Sequence, residues 1–229
     1  MATPFGTLSL PLQLSVVGAW LGLVVVVAEG LKRWQPEITE APRKVVHIGV
    51  GNVILLAWWF QMPAALGIGA SVLFSILTLV SYRYPILASV SEVGRQSLGT
   101  FFYAVSIGVL IAIFWLLGLP QYAVIGILVM TWGDGLAALV GQTWGRHPFY
   151  VWGMTKSWEG SLAMAVVSFL VIAGVLLAVQ GWQGSVIGVA IATALTATAL
   201  ESFSKLGIDN LTVPLGSAAT CYLLNELWF

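Results

Sequence analysis

The chain has 229 residues, of which 59% are hydrophobic and only 8% are Asp, Glu, Lys or Arg. Soluble domains carry about 25% charged residues, so this composition excludes a water-covered globule and suits a chain whose surface faces lipid. Net charge is zero, which leaves no basic field to attract nucleic acid. The single Cys221 excludes an internal disulfide and a cysteine-based zinc site.

A bilayer core is crossed by about 20 apolar residues. The first such run covers 10–31. The stretch from Met1 to Ser9 before it has no positive side chain, and no cleavage-like site follows it. It is therefore expected to persist as a helix and not as a removable signal peptide. Further spans are expected over 44–61, 64–82, 99–118, 121–143, 159–180, 184–205 and 210–228. The last is the poorest, because Asn210, Pro214, Asn225 and Glu226 interrupt it; seven spans plus a re-entrant segment is the alternative. Between spans, 83–98 holds Arg83, Glu92, Arg95 and Gln96 and reads as an amphipathic surface stretch. Trp58, Trp59 and Trp115 read as interface-belt residues. No repeat, heptad array or low-complexity tract is present. The predicted fold is an all-α polytopic transmembrane helical bundle of seven or eight spans, with 1–229 as a single integral membrane domain.

The connections alternate. Those near 62–63, 119–120 and 181–183 are short and uncharged, whereas 32–43, 83–98 and 144–158 are longer and charged. With the 32–43 loop in the cytoplasm, Lys32, Arg33, Arg43, Lys44, Arg83, Arg95, Arg146, Lys156 and Lys205 all fall on that side. These are all 9 basic residues of the chain, a strong positive-inside pattern. The acids follow: Glu29, Glu37, Glu40, Glu92, Glu159, Glu201 and Asp209 lie at or near the same face, and Glu226 at the opposite one.

Asp134 departs from this pattern. Counted from Gln121 at about 1.5 Å per residue, it lies roughly 20 Å along a core of about 30 Å. A mid-span Asp costs about 2.5–3.5 kcal/mol on insertion scales, so it is expected to face a cavity, a partner or an ion. Gly133 and Gly135 flank it and allow close approach. Ala138, Gly141 and Gly145 share its helical face. Two readings are open for these glycines: a ligand-approach surface, or a small-residue helix-packing seam.

Downstream, Lys156-Ser157-Trp158-Glu159-Gly160-Ser161 opens the next helix. A helix start offers free N–H groups and a positive dipole end to phosphate, and Lys156 and Ser157 add a charge and a hydroxyl. The bland alternative is a helix cap beside a topological lysine. This is not a Walker A loop, which needs Gly directly before Lys and a preceding strand; Thr155 precedes Lys156, and no strand is expected there. Glu201, Asp209 and Asn210, together with Asp134, supply hard oxygen ligands suited to Mg²⁺, which keeps several waters and bridges phosphates. Glu29 and His47 flank the 32–43 loop, where His47 could orient a phosphate or act as a base. Arg43 and Lys44 are explained by topology.

Asp134-Gly-Leu-Ala137, Gly141, Gly145 and Lys156-Ser-Trp-Glu159-Gly160-Ser161 resemble the nucleotide-binding signature of the polyprenol kinase superfamily. Arg43-Lys44-Val-Val-His47-Ile-Gly49 resembles its early Arg-Lys-x-x-His element. Glu201-Ser202 and Asp209-Asn210-Leu-Thr-Val-Pro214 resemble its late acidic element. The matches run in order over 43–214. The stretch from Arg146 to Thr155 is longer than in dolichol kinases, and the whole is most similar to the phytol kinase branch.

The resemblance implies transfer of the γ-phosphate of CTP, or UTP, to a long-chain isoprenoid alcohol, with phytol yielding phytyl phosphate. On this reading Asp134 holds Mg²⁺ with Glu201 or Asp209, and Asn210 lies beside them. Lys156, Ser157, Glu159 and Gly160 cradle the phosphates, and Gly133, Gly135, Gly141 and Gly145 admit the nucleotide. Glu29, His47 or Glu201 accepts the hydroxyl proton, and Arg43 and Lys44 belong to the early element. The alcohol enters from the cytoplasmic (or stromal) leaflet with its chain in membrane lipid. Diacylglycerol kinase and phosphatidate cytidylyltransferase activities are the enzymatic alternatives. An ion-coupled transporter is the non-enzymatic one, but it calls for polar residues in both membrane halves, and the half away from Lys156 is nearly free of them.

Overall fold

The computed structural model describes residues 8–34, 40–83 and 98–228. These divide into two compact units, one ending at Pro63 and one starting at Ala64. Glu37 and the expected amphipathic stretch with Glu92, Arg95 and Gln96 lie outside the described residues.

In the first unit, α1 (Leu10–Trp34) packs on α2 (Glu40–Gly51), and α3 (Val53–Trp59) follows. The expected span over 44–61 is thus divided by a turn at Asn52, where Gly51 and Asn52, both weak helix formers, stand together. The Trp20 indole donates to the Gly49 carbonyl at 2.7 Å. A Cβ at position 49 would collide with Val24, so glycine sets how closely α1 and α2 approach. Gln13 Nε2 ties the start of α1 to the Phe60 carbonyl at 3.3 Å. The outward face of α1 is apolar, with Val26 68% exposed, as a lipid-facing helix requires.

In the second unit, α4 (Ala64–Arg83) packs against α5 (Gly99–Leu110), which continues as a π-helical segment, Ile111–Trp115. Gly108 leaves room for the Ser71 hydroxyl, which donates to the Ala104 carbonyl at 2.5 Å. Next, α6 (Pro120–Leu128) runs through a second π segment, Val129–Asp134, into α7 (Gly135–Trp144). This 25-residue helix is the centre of the unit. Every residue from Tyr122 to Thr131 is buried, and α5, α8 (Trp158–Gln180) and α10 (Asp209–Trp228) surround it. The absence of a side chain at Gly126 lets the Pro214 carbonyl of α10 approach its backbone. Helix α9 (Gly184–Ser202) packs between α8 and α10.

All eight expected runs are helical. Five helices are long and apolar enough to cross a membrane: Leu10–Trp34, Ala64–Tyr82, Pro120–Trp144, Trp158–Gln180 and Gly184–Ser202. The helix Gly99–Trp115 is apolar but shorter, and α10 has the length, 20 residues, with Pro214 inside it. The chain is an all-α membrane bundle.

One expectation is corrected. A strand does precede the helix that follows Lys156: β1 (Pro148–Val151) and β2 (Met154–Ser157) form an antiparallel hairpin with Phe149 opposite Lys156. Its two-residue turn, Trp152-Gly153, has positive φ at both positions, 49° and 80°, which matches the right-handed twist of the strands. Glycine adopts that conformation freely; a tryptophan does so against steric cost.

Candidate active site

Lys156 is the third residue of β2, on the hairpin face turned inward. Its ammonium meets the Glu201 carboxylate at 2.5 Å and also donates to the Glu201 backbone carbonyl. Both side chains are only 12% exposed. The partners are 45 residues apart in sequence and join the hairpin to the last turn of α9. That carbonyl belongs to a helix C-terminus, where acceptors lack intrahelical donors and a cation is favoured.

Two further carboxylates act on this pair. The charges of Asp134 and Asp209 are both felt at Glu201. Asp134 stands half-buried at the junction of the π segment with α7, about 15 Å from the helix end at Trp144 at ordinary helical rise. Single-turn π segments recur at functional sites because the extra residue re-aims the side chains around it. Beside it, the Tyr103 hydroxyl and the Thr131 hydroxyl lie 2.8 Å apart, and the Asp134 charge reaches Tyr103. Asp209 opens α10; one of its oxygens accepts from the Asn210 N–H at 3.0 Å and the Asn210 amide at 3.2 Å. Lys156 and Glu201, from two elements, are thus in contact, and Asp134 and Asp209, from two others, act on Glu201 through their charges.

The glycines serve a second, adjoining purpose. Ser157 is the N-cap of α8, its hydroxyl accepting from the Gly160 N–H at 3.2 Å. A Cβ on Gly141 would stand 3.1 Å from that hydroxyl, one on Gly145 2.9 Å, and one on Gly160 3.0 Å from the Ala137 carbonyl. These three positions let α7, the serine cap and α8 approach at backbone distance. Gly133 does the same about two turns before Gly141, where a Cβ would lie 2.7 Å from Met164 Sδ. Gly135 is buried. These close approaches form a small-residue seam between α7 and α8.

Glu159 lies in the first turn of α8, favourable for the helix dipole. It holds His147, whose Nδ1 lies 2.6 Å from Oε1 and whose backbone N–H donates to Oε2 at 3.3 Å. The Trp158 N–H closes the base of the hairpin on the His147 carbonyl at 3.1 Å. His147 was not marked by the sequence, since its partnership with Glu159 exists only once the hairpin folds. The hairpin itself had a readable signal, the X-Gly pair between Phe149-Tyr150-Val151 and Met154-Thr155.

Glu29, Arg43, Lys44 and His47 belong to the first unit. Glu29 is exposed and pairs with Arg33 at 3.0 Å along α1. His47 is half-buried on α2. Lys44 is 5% exposed, a degree of burial that a purely topological lysine does not require.

The apolar helices and the buried Lys156–Glu201 pair that they enclose define the class, an integral membrane protein built as a helical bundle. The chain is 51% identical over 223 residues to the phytol kinase of Synechocystis sp., covering 96% of each protein. It is 31% identical over 206 residues to "Probable phytol kinase 2, chloroplastic" of Oryza sativa, covering 82% of this chain and 66% of that one. It is 27% identical to "Probable phytol kinase, chloroplastic" of Triticum aestivum, covering 80% and 66%. The chain belongs to the phytol kinase family of polyprenol-type kinases, phosphotransferases with an alcohol acceptor. No family model and no solved structure matches it.

Proposed function

We propose that the chain transfers the γ-phosphate of CTP, or UTP, to phytol, at the membrane face that carries Lys156. The observation that carries this reading is the Lys156–Glu201 pair with the charges of Asp134 and Asp209 acting on it. Phosphoryl transfer asks for position and charge neutralisation more than for covalent chemistry, and this pair offers both signs of charge at one place.

The carboxylates suit Mg²⁺. Among the described residues no three His, Cys, Asp or Glu side chains form a ready metal cage, and magnesium does not need one: it binds one or two carboxylates, water and substrate phosphates. Asp134 and Asp209 would hold it, and when bound it neutralises charge on the phosphate oxygens. Lys156 turns from Glu201 to the β- and γ-phosphates, which keeps its own charge paired, and the carboxylate it releases can accept the hydroxyl proton. The alcohol oxygen forms a bond to the γ-phosphorus as the β–γ bridge breaks; the products are phytyl phosphate, CDP and a proton. The isoprenoid chain remains in lipid. The positive-inside pattern supports a cytoplasmic or stromal position for this face.

The test is a matrix of nucleotides against alcohols with the protein in proteoliposomes and Mg²⁺, read by product mass. Phytyl phosphate with CDP is expected from CTP, and Asp134→Asn should lower turnover at least a hundredfold. Pyrophosphate in place of CDP would mark a cytidylyltransferase, and near-normal turnover of the variant would remove Asp134 from the site.

A further inference from the structure

The 148–157 hairpin displays large side chains that the Lys156–Glu201 pair does not use. Its two faces differ. Phe149, Val151 and Lys156 turn inward, while Tyr150 on the outer face is 76% exposed and Trp152 at the tip 65% exposed. The hairpin connects two spans directly: α7 ends at Trp144 and α8 begins at Trp158, 67% and 66% exposed. Its roots are therefore at the membrane surface.

Four-residue strands are about 13 Å long. Standing along the membrane normal, the hairpin would carry its tip beyond the polar layer, which is about 5–7 Å deep on each side of the core. Two contacts show that it lies over instead. The Trp152 ring is 6.3 Å from that of Phe203, the residue just after the end of α9. Lys156, further along β2, reaches Glu201 in the last turn of the same helix. Tip and base are both held at the level where a third span ends. Phe203 and Leu206 continue the exposed apolar surface, 58% and 61% exposed.

We propose that this hairpin is an interfacial lipid-binding element, with Tyr150, Trp152 and Phe203 seated in the headgroup and glycerol layer of the leaflet next to the Lys156–Glu201 pair. Tyr and Trp favour that layer, where an apolar ring meets a wet polar edge. The surface is continuous with the lipid-facing ends of α7 and α8. The left-handed Trp152 fits the same account. Asparagine or glycine would suit its φ of 49° better, and a tryptophan there has a use if its ring must enter lipid. The bilayer thereby fixes the depth of Lys156.

Nitroxide labels at Tyr150→Cys and Trp152→Cys, in a Cys221→Ala background of the full chain reconstituted in phosphatidylcholine–phosphatidylglycerol vesicles, test this. Collisions with oxygen and with a water-soluble nickel chelate give the depth of each label. Both should be positive in depth, shallower than a reference label at Leu170 on the outward face of α8. Nickel collisions as frequent as for a label in water would overturn the proposal. Low collision rates with both reagents would also overturn it, because they mean burial against protein. Tyr150 makes the test robust if Trp152→Cys fails to fold, since its side chain points outward from the strand.

Discussion

At the residue scale, the Lys156–Glu201 pair concentrates most of the consequence. Each side chain is 12% exposed, so removing one partner leaves the other charge in a poorly solvated place. Loss of one member of a buried pair costs about 3–5 kcal/mol. Glu201→Gln is expected to lower the unfolding midpoint in detergent, and Lys156→Met/Glu201→Met to restore much of it while remaining inactive. If the double variant is no more stable than either single one, the pair does not stabilise the fold. Lys156, Asp134 and Glu201 were all legible as single residues, because ionisable groups are rare in so apolar a chain. Their pairing was not: a distance of 45 residues carries no periodic signal.

At the element scale, the contact of α7 with α8 depends on small residues around one hydroxyl. Ser157→Ala removes the cap of α8 and should cost about 1 kcal/mol. Gly160→Ala should cost more, about 1–3 kcal/mol, because its Cβ would press at 3.0 Å on the Ala137 carbonyl, a backbone atom that cannot turn aside. Thermal unfolding of both variants in the same detergent checks the order, and a milder effect from Gly160→Ala would mean that α7 and α8 are not tightly opposed there. The hairpin and both π segments escaped the sequence reading for different reasons. The hairpin is only eight strand residues and a turn, set in a loop already assigned to charge and topology. A π segment is a local insertion that leaves the apolar run unbroken, so hydropathy passes over it.

At the scale of the whole molecule, the charge pattern predicts sidedness. Single cysteines at Arg146 and Lys205 should react with a membrane-impermeant maleimide from one side of sealed vesicles, and those at Gly118 and Trp182 only from the other. All four positions are exposed. Reaction of all four from the same side would break the assumed alternation of spans, and with it the assignment of the reactive face.

The sequence by itself determined that the chain lives in a membrane, where its helices run, and which few residues are too costly to be there without a role. Those conclusions follow from composition and local periodicity, which are properties of short segments. Only the tertiary structure decided that Lys156 meets Glu201, that Asp134 and Asp209 bear on the same carboxylate, and that three glycines close a seam on Ser157. Each of these joins residues from different helices. Their meeting depends on how closely the helices pack, which is governed by side-chain volumes summed over the whole bundle.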